Sequence, residues 1–200
     1  MPVDPLKLVV LMGSVREGRF CPTVTDWFAG LAEQHSAFTV EVVDLEGVEL
    51  PHALPALPPA DPAMTRPEGM RRLTEQLTEA DAFVVVTPEY NHSYPTVLKA
   101  AVDWHFAQWR AKPVGFVSYG GQGAGLRAVE ALRPVFAELH AVTLRDGVAF
   151  PWAHAAFGTD GRPLDAEGAA EAAATLLDQL AWWGAALSEA RAKQAYPLAA

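Results

Sequence analysis

The feature that most constrains this chain is a rhythm: five short apolar runs, each too short for a helix, alternate with longer stretches of helical spacing. Leu6–Met12 is apolar on both sides of its alternation apart from Lys7, and it ends at Gly13. Phe38–Leu45 is β-branched and alternating. Ala82–Thr87 is the clearest strand, Val114–Tyr119 is a fourth, and Ala141–Phe150 holds a fifth. Helices are expected over about 22–35, 67–79, 95–109 and 126–139, the last broken or bent near Pro134. Pro22 suits the first turn of its helix, where a missing N–H costs nothing. A final helix carries Ala169, Ala173, Leu176, Leu180 and Leu187 on one stripe. Between residues 46 and 66, prolines 51, 55, 58, 59 and 62 block both helix and ladder, so an extended surface loop is expected.

Strands buried on both faces and alternating with helices require a parallel sheet covered on two sides. Right-handed crossovers and five strands favour the order 2-1-3-4-5, an α/β three-layer sandwich of the flavodoxin-like kind. No internal repeat or linker divides the chain, so residues 1–200 are expected to form one domain. Ligands of such a sheet sit beyond the carboxyl ends of the strands, near the switch between the first and third. The turns after Met12, Thr87 and Tyr119 are therefore the places to look.

The first turn, Gly13–Thr23, combines Ser14, Arg16, Arg19 and Thr23 with the free amides of a helix start, the groups a phosphate needs. Gly13 and Gly18 have the spacing of a nucleotide-triphosphate loop. Arg19 and Phe20 stand where that loop needs Lys and Ser/Thr, which excludes a kinase or ATPase. The second turn, Thr87–Pro95, is stiffened by Pro88 and Pro95 and presents Tyr90 to the same crevice. The third, Ser118–Gly125, has four glycines in six positions, letting backbone N–H groups approach a ligand closely. Gly123–Ala128 also fits a relaxed dinucleotide fingerprint with Asp146 beyond it, but it follows the fourth strand rather than the first.

With 15 Lys+Arg against 24 Asp+Glu, the net charge of -9 argues against broad nucleic-acid binding. Cys21 is the one cysteine, which excludes a disulfide framework and a cysteine-based zinc site, and no metal is expected. Leu6–Met12 is a poor signal peptide, and the Ala-rich tail carries Glu171 and Asp178, so no membrane span is expected. The expectation is a cytoplasmic protein with no nucleic-acid or membrane partner.

One crevice that takes a phosphate monoester on its first turn and a flat ring against the other two fits FMN. At this point the motifs matter. Gly13-Ser14-x-Arg16, Pro88-Glu89-Tyr90-Asn91 followed by Ser93 and Pro95, and Leu98-Lys99-x-x-x-Asp103-Trp104 resemble the NADPH-dependent FMN reductase family, from about Leu6 to about Leu139. The Ser118–Gly125 turn is similar to that family's third flavin-contacting loop.

The resemblance implies FMN, NADPH or NADH as co-substrate, and a homodimer or homotetramer with the flavin near a subunit interface. It assigns the phosphate to Ser14 and Arg16, completed by Arg19 or Thr23, since Arg19-Phe20 replaces a small hydroxyl residue frequent there. It assigns the isoalloxazine to Pro88, Glu89, Tyr90 and Asn91 and to the stretch Ser118, Tyr119, Gly120, Gly121. Hydride would pass from NAD(P)H through flavin N5 to a quinone-like, nitro, azo, metal-oxyanion or free flavin acceptor. The flavin carries the chemistry, so no catalytic side chain is demanded. Amides of Gly120 and Gly121 would stabilise negative charge on the reduced ring.

Other residues receive plainer readings. His92 is taken as a surface histidine, and Cys21 as unreactive despite Arg16 and Arg19 nearby. Lys99 and Asp103 form a modest ion pair on a face where Trp104 and Trp109 would suit a partner subunit; Trp182-Trp183 is a second such candidate. A flavodoxin-like electron carrier without NAD(P)H oxidation is the alternative. Its acidity fits, but the arginines of the first turn and the Pro-Glu-Tyr-Asn segment do not. A dinucleotide-binding domain using Gly123–Ala128 is a third reading.

Overall fold

The two faces of β1 (Leu6–Met12) settle the layering. Leu8, Val10 and Met12 pack toward Val24 and Phe28 of α1 (Cys21–Gln34) and Leu176 and Leu180 of α6 (Ala166–Lys193). Val9 and Leu11 pack the other way, toward Leu77 of α2 (Arg71–Glu79), Leu98 of α3 (Thr96–Asp103) and Phe136 of α4 (Leu126–Glu138). Period-two alternation thus feeds two cores from one strand. The computed structural model describes residues 4–61 and 63–197. Of the proline-rich segment, Pro62 lies outside the described residues, as do both ends of the expected 1–200 domain.

The strands run parallel in the order β2 (Phe38–Asp44), β1, β3 (Ala82–Pro88), β4 (Pro113–Tyr119) and a fifth position. This is the expected flavodoxin-like α/β sandwich with helices on both faces. Every residue of β3 is buried, and each fully buried Val or Phe there contributes roughly 1.5–3 kcal/mol. The fifth position is filled by two short segments, β5 (Val142–Thr143) and β6 (Val148–Phe150), both on β4. Between the Val114–Thr143 pair and the Val117–Val148 pair, two residues of β4 face four residues of the outer chain. The expected single strand is therefore interrupted around Arg145-Asp146-Gly147.

Other departures have local causes. The third helix ends at Asp103 rather than near Trp109. Beyond it the chain turns back on itself, and Ala111 takes a left-handed φ of 52° before β4 begins. That path puts Trp109 at 0% exposure against Phe83 and Phe136, at ring distances of 4.8 and 5.3 Å. Trp104 is also buried, and its indole N–H donates to the Pro51 carbonyl at 2.9 Å. Both tryptophans belong to the protomer's own core, which corrects their reading as subunit contacts. α4 continues through Pro134. A short helix, α5 (Ala153–Ala156), follows β6 and was not legible beforehand. Among the described residues no helix is long and apolar enough to cross a membrane.

Candidate functional site

The turn after β1 is clamped to its neighbour. The Gly13 N–H donates to the Val86 carbonyl at 2.8 Å, and a Cβ on Gly13 would stand 2.9 Å from that oxygen, so only glycine allows the approach. Ser14 follows at 0% exposure, and its hydroxyl lies 2.7 Å from the Tyr90 phenol. Tyr90 opens a tight hairpin closed by Tyr90 N–H to Ser93 (2.8 Å) and Ser93 N–H to Tyr90 (3.1 Å). Asn91 and His92 occupy its two central positions with φ of 49° and 73°, the left-handed pair of a type I′ turn.

The third turn joins the same cluster. The Glu89 N–H donates to the Tyr119 carbonyl at 3.3 Å. The Tyr119 phenol is buried beside Cys21, Tyr90 and Ser14, and burial first, then the Cys21 thiol, push its pKa well above the ordinary tyrosine range. The Ser118 hydroxyl donates to the Ala124 carbonyl at 2.9 Å, closing the glycine turn. Gly125, with φ of 82°, ends it where a Cβ would strike Tyr119 at 2.8 Å. The three turns singled out from the sequence therefore meet at the carboxyl ends of β1, β3 and β4. The Gly120 N–H is already donated to the Phe150 carbonyl at 3.1 Å. Among the described residues the Gly121 N–H has no such main-chain partner.

The charged groups divide. Arg19 is 11% exposed and grips Asp44 with both terminal nitrogens, at 2.6 and 2.5 Å, with Glu46 at 2.9 Å and the Ser14 carbonyl at 2.6 Å. This bidentate bond raises the Arg19 pKa and holds the Asp44 carboxyl below its usual range. Arg19 thus ties the end of β2 to the first turn. Arg16 is exposed and makes no side-chain hydrogen bond or ion pair among the described residues. Thr23 is half-buried and opens onto a separate cleft of about 620 Å³ between α1 and the 160–166 segment. Lys99 lies 2.6 Å from both carboxylate oxygens of Asp103. Burial pushes the Cys21 thiol pKa up, consistent with an unreactive cysteine.

Two residues near the site went unnoticed in the sequence. Arg127, in the first turn of α4, reaches back to the second turn: its Nε lies 3.1 Å from Glu89 Oε1, and its Nη1 donates to His92 Nδ1 at 3.1 Å. Its place inside the Gly123–Ala128 stretch was a usable signal. The other Glu89 oxygen, Oε2, is buried with no partner among the described residues. Trp152 is the second. Its N–H donates to the Gly121 carbonyl at 3.0 Å, which fastens the segment after β6 to the third turn.

Residues 6–155 match the profile of the NADPH-dependent FMN reductase family. The chain belongs to that family. Among its relatives is an NAD(P)H-dependent FMN reductase of Schizosaccharomyces pombe, 39% identical over 120 residues, 60% of each chain. The matched segment thus spans about three fifths of that protein. Another NAD(P)H-dependent FMN reductase, from Pseudomonas aeruginosa, is 30% identical over 169 residues, 81% of this chain and 86% of its own. The fold is shared with the NAD(P)H:(acceptor) oxidoreductase FerB of Paracoccus denitrificans. Their TM-score is 0.68 at 23% identity, over 90% of this chain and 98% of that one. The Ser14, Pro88–Asn91 and Tyr119–Gly121 turns all fall inside the family match.

Proposed function

We propose that this protein is an FMN-dependent NAD(P)H oxidoreductase that reduces quinone-like, nitro, azo, metal-oxyanion or free flavin acceptors. The observation that carries the reading is the 2.7 Å Ser14–Tyr90 hydrogen bond. It locks an anion-ready turn to a stiff aromatic one, as a ligand with a phosphate at one end and a flat ring at the other requires.

The residues present fit FMN. The start of α1 has no side-chain cap, so its first-turn amides remain for an oxyanion, with exposed Arg16 in the preceding loop. Arg16 and those amides would hold the phosphate, with Ser14, expected beside them but fully buried and bonded to Tyr90, shaping the turn from beneath. Arg19 supports the loop from behind through Asp44, and Thr23 is placed on the neighbouring cleft. Pro88–Asn91 and Tyr119–Gly121 would hold the ring, with Ser118 shaping the third turn. The unpartnered Glu89 Oε2 is a buried acceptor of the kind a ring N–H satisfies. Bound FMN would supply two-electron hydride chemistry. The chain's part is orientation and a dry wall, because the buried Tyr119 phenol stays neutral at working pH.

Assembly as a homodimer or homotetramer belongs to the same reading. With Trp104 and Trp109 committed to the core, Trp182, 66% exposed, is the tryptophan of the candidate pairs left for such a contact. The deciding experiment is the visible spectrum with added FMN, followed by steady-state oxidation of NADPH and of NADH with menadione or free FMN as acceptor. A flavin spectrum and turnover are expected. A flavin spectrum with a stable one-electron state and no NAD(P)H oxidation would favour the electron carrier, and no flavin retention would end the proposal.

A further inference from the structure

Trp152 is the residue that local physics least explains. Its backbone is left-handed, with φ and ψ both 49°, a conformation that bulky side chains avoid. The residue is 63% exposed, although Phe150 two positions before it and Ala153 directly after it are buried. Main-chain bonds hold it there: Trp152 N–H to Gly121 (3.0 Å), Ala153 N–H to Gly120 (3.0 Å), and Gly120 N–H to Phe150 (3.1 Å). Gly121 contributes no side chain, and a Cβ built on it would lie 3.9 Å from the indole Cζ3. A large aromatic face is thus fixed against bare backbone at the third turn, open to solvent and in a strained conformation.

We propose that Trp152 selects the electron acceptor, its indole forming the wall on which a planar, electron-poor ring lies as it enters the crevice. This rests on the FMN reading above and adds to it the residue that sorts its acceptors. Indole is electron-rich, so an electron-poor quinone or nitroaromatic ring stacks on it favourably in the offset geometry. With two side-chain torsions, tryptophan gives that contact at little entropic loss. Compact acceptors such as ferricyanide present no ring to stack.

The test uses FMN-loaded wild type, Trp152→Gly and Trp152→Phe. Glycine adopts the same backbone without penalty, so W152G is expected to melt no lower than wild type. Should it melt lower, Trp152→Asn, which also tolerates that backbone, replaces it. Binding of 6-nitrocoumarin, a planar electron-poor ring, is measured by calorimetry on the oxidised protein without NAD(P)H, so that no hydride is transferred. The coumarin Kd is expected to rise about fivefold in W152G and recover in part in W152F, the size of one stacking contact. FMN affinity is expected to stay within about twofold, since its phosphate contacts are elsewhere. In turnover, KM for menadione should rise relative to KM for ferricyanide. An unchanged coumarin Kd, or two KM values moving together, overturns the proposal while leaving the FMN reading intact. FMN affinity falling in step with the coumarin also overturns it, because the indole would then line the flavin itself. A wild type that retains no FMN ends both.

Discussion

The Ser14 hydroxyl and the Tyr90 phenol stand 2.7 Å apart although 76 residues separate them in the chain. The bond joins the turns after β1 and β3, the two central strands between which the sheet order reverses. Ser14 is fully buried, so removing its partner strands a polar group away from water. Tyr90→Phe is expected to lower unfolding free energy by about 1–2 kcal/mol in urea, with an unchanged m-value. Combining it with Ser14→Ala should cost little more than the worse single change, because both remove one interaction. Additive costs would show that the hydroxyls act separately.

Arg16 and Arg19 should separate binding from stability. Arg19 makes four polar contacts, two of them the paired bonds to Asp44. Arg19→Gln is expected to destabilise the fold by about 2 kcal/mol, the scale of lost charged hydrogen bonds. Arg16 is exposed, so Arg16→Ala should leave stability within about 0.5 kcal/mol. It should weaken FMN about tenfold or more while leaving riboflavin nearly unaffected, because only FMN carries the phosphate. Calorimetric titration of both ligands checks this. Equal losses would move the phosphate away from Arg16.

These two arginines also mark how far the sequence could be read. The sheet order and the three turns were legible because doubly buried strands leave unmistakable apolar runs, and the fold puts the turns at their ends. Which guanidinium is free was not legible. The carboxylates that occupy Arg19 lie 25 and 27 residues further on, at the end of β2 and just past it, with α1 in between. The helix end at Asp103 carries no glycine or proline signal, so Trp104 and Trp109 looked like surface residues when they are core. Trp152 was hidden for a different reason: a left-handed backbone at tryptophan contradicts residue preference, and only the surrounding main-chain bonds impose it.

At the opposite end of β4, Lys112 is buried and donates to the Leu77 and Thr78 carbonyls at 2.8 and 2.9 Å. Burial and then Arg191 lower its pKa from 10.5 to about 7, with Asp81 opposing. The unfolded chain therefore binds this proton between pH 7 and 10.5 while the folded chain does not. Lys112 thus makes stability rise with pH across that window, by up to about 1.4 kcal/mol per pH unit. Lys112→Met is expected to flatten that slope relative to wild type in urea unfolding at pH 7 to 9.5. Parallel slopes would mean that the amine titrates normally.

His105 sets the acid side. It is fully buried, with Nδ1 2.8 Å from the Ala101 carbonyl and Nε2 3.0 Å from the Thr74 hydroxyl. A carbonyl only accepts, so Nδ1 carries the proton, while the single Thr74 hydroxyl proton is shared between Nε2 and the Met70 carbonyl at 3.1 Å. Burial lowers the pKa from 6.5 to about 4; the Ala101 bond opposes this and Arg66 reinforces it. Because the folded value lies below the unfolded one, the contribution is complete above pH 6.5. It is lost as pH falls toward 4, and amounts to about 3 kcal/mol in full. His105→Gln should be less stable than wild type at pH 7.5, and the gap should narrow steadily between pH 6.5 and 4.5 in urea unfolding. A gap that stays constant over that range would show that His105 is protonated inside the fold as readily as outside it.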